Sequence, residues 1–208
     1  PLVAPARREL GRRTPLGNTD LLGGLRSALE QLAGGTAPGA IIYIGDGPGL
    51  TGILPEDFAA TLAALRQQRV SFSAVAIGNQ VNWPCLASLA AGSGGNVLVP
   101  VDSLSPREAG QRMAGQAVAP ILWPDDGSLE LASQMADTAV AMLPFQLPPL
   151  RHDRESVILF LGPLAPASIT TTAEKTPGRD SPDSWPEVQL TFDLPQRDPS
   201  SDHAFLEQ

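Results

Sequence analysis

A chain of 208 residues with 42% apolar content can bury one good core and part of a second. Its net charge of −8, from 14 basic and 22 acidic residues, excludes a nucleic-acid surface, because phosphate binding needs clustered Lys and Arg. Cys85 stands alone, which removes any intrachain disulfide or cysteine-rich zinc site and reads as a small buried apolar side chain. No apolar run approaches the roughly 20 residues of a bilayer crossing, and Pro-Leu-Val-Ala-Pro carries neither an initiator Met nor a signal-peptide pattern. The chain is expected to be a piece of something longer.

Leu21, Leu22, Leu25, Leu29 and Leu32 recur at helical spacing and Gly34-Gly35 ends the pattern, which predicts an amphipathic helix over residues 20–33. Ala40 to Ile44 reads as a buried strand. Pro55 suits the first turn of a second helix whose stripe is Phe58, Leu62 and Leu65, with Arg66 and Arg69 placed for its C-terminal dipole. Val70 to Ile77 is the next strand, Trp83 to Ala91 a short helix closed by Gly92-Ser93-Gly94-Gly95, Asn96 to Val101 a third strand, and Pro106 to Ala117 a fourth helix. Strands alternating with helices imply right-handed crossovers and a parallel sheet.

The pattern changes near Pro120. Residues 1–119 read as one partial α/β domain and 120–162, broken by Pro124, Pro144, Pro148 and Pro149, as a β-rich accessory segment that includes a strand over Ser156–Leu161. Residues 163–186, rich in Pro, Ser, Thr and Asp, read as a linker or loop, too poor in apolar groups to offset ordering entropy. Residues 187–208 read as an alternating, half-buried strand, Glu187 to Leu194, and a polar tail after it.

In open α/β sheets ligands bind beyond the carboxyl ends of the strands, so the informative turns are Asn18-Thr19 and Gly45-Asp46-Gly47. Thr19 offers a hydroxyl just before a helix, and Asp46 a carboxylate just after a strand. Both are hard oxygen donors of the kind Mg²⁺ prefers, although two protein oxygens do not complete an octahedral site. Each also has a plain structural role open to it, Thr19 as a helix N-cap and Asp46-Gly47 as a turn pair.

Pro-Leu-Gly-Asn-Thr-Asp-Leu-Leu-Gly-Gly-Leu resembles the threonine loop of von Willebrand factor A domains, and Ile-Ile-Tyr-Ile-Gly-Asp-Gly their aspartate loop. The next strand, Val-Ser-Phe-Ser-Ala-Val-Ala-Ile-Gly, and its Leu-Ala-Ser-Leu-Ala and Gly-Gly sequel agree, so the resemblance runs from about Thr14 to about Ala119. It implies an α/β fold, a three-layer parallel sheet flanked by helices and lacking its first strands, with a small β-rich segment after it. It further implies a metal-ion-dependent adhesion site in which Thr19 and Asp46 help hold Mg²⁺, or Mn²⁺ or Ca²⁺, and a protein partner completes the coordination with an acidic residue. Such a module binds and is not an enzyme, and the family weakly favours an extracytoplasmic location, periplasmic or cell-surface.

The sequence departs from the family in lacking its first motif, Asp-x-Ser-x-Ser. Loss of that first strand would expose an apolar strand edge, an aggregation hazard, so upstream truncation is expected. The stretch Leu-Pro-Pro-Leu-Arg-His-Asp-Arg-Glu-Ser-Val-Ile-Leu-Phe-Leu-Gly is similar to the segment C-terminal to the A domain in inter-α-trypsin inhibitor heavy-chain proteins, which implies that 120–161 and 187–194 belong to an accessory sandwich.

Two alternatives stand beside this reading. A degenerate metal site would leave a purely structural module. Gly47, Gly49 and Gly52 match Gly-x-Gly-x-x-Gly between a strand and a helix and could seat a nucleotide's pyrophosphate, but no acid stands after the next strand to hold a ribose. His152 and His203 read as solvated surface residues, and Asp125-Asp126 as part of a turn.

Overall fold

The computed structural model describes residues 3–12, 14, 18–35, 39–49, 52–100, 104–125, 130–132, 141–144, 146–161, 168–177 and 185–193. Three parallel strands, β1 (Ala40–Gly45), β2 (Ser71–Ala76) and β3 (Val97–Leu98), lie in that spatial order. They alternate along the chain with α2 (Leu21–Leu32), α3 (Pro55–Gln67), α4 (Trp83–Gly92) and α5 (Pro106–Ala117), and α1 (Val3–Leu10) precedes them all. This is the α/β architecture the alternation predicts, with α1 as an addition. None of α1's residues is buried, and although Val3, Ala6 and Leu10 recur at helical spacing, eight residues are too short a window for periodicity to find it.

β2 is the hub. All six of its residues are buried, because strands flank both its edges and helices cover both its faces. Phe72, Ala74 and Ala76 share one face of the pleat and pack with Leu21, Leu22, Leu25 and Leu29 of α2, Leu65 of α3, and Leu86, Leu89 and Ala90 of α4. Each fully buried leucine contributes roughly 1.5–3 kcal/mol, so α2 is held by its leucine face more than by helix propensity. α5 packs against β1 and β2 through buried Ala109 and Met113. Its start is fixed by a reciprocal capping box, in which Ser105 Oγ accepts from the Glu108 N–H and the Glu108 carboxylate from the Ser105 N–H.

Ser73 of β2 and Ser93 at the end of α4 are buried hydroxyls, and their hydrogen bonds explain why that is tolerable. Ser73 Oγ accepts from the Asn96 N–H at 3.1 Å, while the Phe72 N–H donates to Ser93 Oγ at 3.0 Å, whose own proton goes to the Leu89 carbonyl. β3 is shorter than the predicted Asn96–Val101. Pro100 has no N–H to give a ladder, and Val101 lies outside the described residues.

Two boundaries differ in kind from the sequence expectation. Asp20, not Thr19, caps α2, its carboxylate accepting from the Gly23 N–H at 2.9 Å. The stretch expected to be a linker contains β9 (Ser168–Lys175), which pairs antiparallel with β10 (Glu187–Asp193), with β4 (Ile121–Pro124) and with β5 (Glu130–Ala132). Ser-Ile-Thr-Thr-Thr-Ala-Glu-Lys is poor in large apolar groups but rich in β-branched threonine, and Thr171 and Ala173 are wholly buried. The sheet is completed by β7 (Leu150–Arg151) beside β4. A separate hairpin joins β6 (Ala141–Leu143) to β8 (Leu159–Leu161), the latter only the end of the strand expected from Ser156.

Arginines fasten the antiparallel layer to the parallel one. A helix leaves its last four carbonyls unpaired, and those of α4 and α5 point toward the accessory segment. Arg151, its side chain fully buried, donates to the carbonyls of Gly94 at 3.0 Å and Gln116 at 3.1 Å and grips Asp153 through two further bonds. Arg154 donates to the carbonyls of Gly95, Ala91 and Pro149, and Arg66 reaches back from α3 to those of Gly92 and Leu147. The bond from Arg151 holds the Asp153 carboxyl below the ordinary aspartate range, and burial pulls the Arg154 guanidinium below its usual value. At the end of α3, Arg69 takes the left-handed conformation normally given to glycine, with φ of 52°. Its guanidinium pairs with Glu174 of β9 and lies 5.0 Å from the Trp185 ring centre, contacts that offset the backbone cost.

Candidate functional site

The carboxyl end of β1 is where three loops meet. β1 ends at Gly45, Asp46 comes next, and Gly47 turns the chain with φ of +108°. The Gly49 N–H donates to the Thr19 carbonyl at 3.3 Å, tying this loop to the one before α2. Glycine at 49 also leaves room for the Asn18 side chain, which stands where a Cβ would be. On the other side the Asn82 N–H donates to the Asp46 carbonyl at 2.7 Å, and the Asn82 side chain caps α4 by accepting from the Cys85 N–H at 3.2 Å. Gly78, at φ of +126°, passes so near Asp46 that an added Cβ would stand 3.0 Å from the aspartate Cβ.

Thr19 and Asp46 are thus carried by loops bonded to each other at one rim of the sheet, and both residues are solvent-exposed. Among the described residues no group of three or more His, Cys, Asp or Glu is placed to hold a metal ion. The donors fit a hard divalent cation in kind, a hydroxyl and a carboxylate. In number they leave most of an octahedral shell to water and to other groups.

Tyr43 lies beneath the aspartate loop. Its hydroxyl accepts from the Gly47 N–H at 3.1 Å and donates to the Gly47 carbonyl at 3.2 Å, while its ring stacks on Phe72 at a centroid distance of 6.2 Å. Burial pushes the phenol above its ordinary value, the Gly47 bond opposes that, and the negative charge of Asp46 adds to it. The sequence presents Tyr43 only as one more member of an apolar strand run. Its role depends on a bond four residues onward, which strand spacing does not reveal.

The glycine motif has less to offer an anion. Gly52 takes φ of +70°, but Pro55 supplies no N–H at the start of α3, and Glu56 and Asp57 fill the first turn with negative charge. The motif's Leu50 and Thr51 lie outside the described residues. His152 and Asp125 are exposed, and His203 and Asp126 are likewise outside. Among the described residues no helix is long and apolar enough to cross a membrane.

Residues 5–98 match the family described as von Willebrand factor type A domain, a span that takes in α2 to α4, the parallel strands, Thr19 and Asp46. Among solved structures the fold is similar to one described as von Willebrand factor type A from Catenulispora acidiphila, with a TM-score of 0.50 and 16% identity. That likeness covers 90% of this chain and 50% of the other, so the chain spans about half the length of the protein it resembles. No curated protein matches the sequence.

Proposed function

From the premise that residues 5–98 are a von Willebrand factor type A domain, we propose that the rim at the end of β1 binds a protein partner through a divalent cation. Domains of this family are typically non-enzymatic interaction modules. The observation that carries the proposal is the bond from the Gly49 N–H to the Thr19 carbonyl, which joins the two loops of this chain whose side chains the family resemblance assigns to the ion. Thr19 would offer its hydroxyl and Asp46 its carboxylate, to Mg²⁺ or to Mn²⁺ or Ca²⁺. When bound, the ion supplies an electrophilic position at which a partner's Asp or Glu attaches. The chain's own part is to hold these two oxygens at an exposed rim, without catalysis. An extracytoplasmic location belongs to the same proposal and rests on family likeness.

The sparse donor set favours one second reading, a module whose metal site is degenerate and whose fold serves only to pack against the antiparallel layer. A Mn²⁺ titration monitored by thermal denaturation separates the two. At about ten times its dissociation constant the ion should raise the melting temperature by about 3–6 °C, and Asp46→Ala should remove most of that rise. An equal rise in the Asp46→Ala protein would overturn the assignment, and no rise in the native chain would favour the structural module.

A further inference from the structure

We infer that Tyr43 is a positioning residue, whose hydroxyl fixes the aspartate loop in one conformation and so sets where Asp46 stands. What that loop is for rests on the cation reading above, but the lock itself rests on geometry alone. One phenol oxygen makes both bonds to Gly47, accepting from its N–H and donating to its carbonyl, and so takes up both polar groups of the residue next to Asp46. Gly47 is at positive φ, a conformation that glycine adopts without preferring it over its alternatives, so something outside the residue must select it. The Asn82 N–H holds the Asp46 carbonyl from the opposite side, while Asp46 stays exposed at the rim.

The arrangement is built to receive the hydroxyl. Gly45 has no Cβ where Tyr43 Oη lies, and any side chain at 45 would displace it. The stack on fully buried Phe72 anchors the ring in the main core, so the loop is referenced to β2 and not to solvent. Removing the oxygen alone leaves that packing in place. Tyr43→Phe therefore separates the lock from the fold.

The test uses the full chain and three proteins, the native one, Tyr43→Phe and Phe72→Leu. Amide hydrogen exchange at Gly47 reports the loop, and Mn²⁺ affinity from water-proton relaxation reports Asp46. Tyr43→Phe should speed Gly47 exchange about tenfold and weaken Mn²⁺ about tenfold with little change in melting temperature. Phe72→Leu, which removes the ring stack but keeps the phenol oxygen, should lower the melting temperature and weaken Mn²⁺ less than Tyr43→Phe does. Gly47 exchange unchanged in Tyr43→Phe would overturn the lock. Fast exchange with native Mn²⁺ affinity would overturn the claim that the lock sets Asp46. If the native chain takes up no Mn²⁺, the cation reading fails, and Gly47 exchange alone then supports or overturns the lock.

Discussion

Arg151→Ala should destabilise the protein by about 2–4 kcal/mol, a large share of the roughly 5–15 kcal/mol that holds a domain folded. The side chain is fully buried and donates to the Gly94 and Gln116 carbonyls, beside the ends of two helices, and to the carboxylate of Asp153, which water also reaches. Truncation leaves each of these unpaired, and losing one partner costs more than the pair contributes net. Urea denaturation provides the measurement, and a midpoint within about 0.5 kcal/mol of native would refute the joint. Arg151→Lys should recover only part of the loss, because one ammonium cannot span the three directions of the guanidinium fork. The penalty should also depend on pH with a definite sign. Asp153 is held below its ordinary value, so its contribution is complete above about pH 4 and is lost as pH falls through the lowered folded value. The two proteins should therefore draw closer in stability in acid.

Gly95→Ala should be similarly damaging, at about 3 kcal/mol or more, for a steric reason. A Cβ at 95 would coincide with the carbonyl of Phe72 and crowd Ser73 Oγ. That carbonyl belongs to the central strand, where neighbouring Ala74 is in register with Val97 of β3, so it cannot retreat without loosening the ladder. Gly110→Ala is the matched control. It lies within α5 with nothing within 4 Å of an added Cβ, and should stabilise by about 0.5–1 kcal/mol. Equal effects at the two positions would overturn the close approach as the cause at Gly95.

Where side-chain period and burial coincide, the sequence is a sufficient guide. The leucine stripe of α2 and the proline-started helices α3 and α5 are each visible in a window of a dozen residues, whereas the apolar run of β1 predicts the strand but not its burial, since none of its residues is buried. β9 is not, because its burial comes from three partners distant in the chain, and threonine signals strand by shape more than by apolarity. The arginine joint is equally hidden. Arg151 and Arg154 sit in a charged Arg-His-Asp-Arg stretch that looks like solvated surface, and the carbonyls through which they reach the parallel layer are 35 to 63 residues away. At the rim, Thr19 and Asp46 stand out as oxygen donors at strand-to-helix turns. Tyr43, Asn82 and Gly78 do not, since each matters through contact with the backbone or Cβ of a loop elsewhere in the chain.

The parallel layer stops abruptly at β1. This strand has β2 on one side and, among the described residues, no strand on the other, while Ile42 and Ile44 are 42% and 65% exposed. A strand edge beside exposed isoleucines invites a second molecule to lie along it, and at neutral pH mutual repulsion between chains of charge −8 opposes that approach. Acidification and concentrated salt both weaken that repulsion, so light scattering from the purified chain should climb under either. Should it stay flat in both, the edge would have to be sealed by something other than charge.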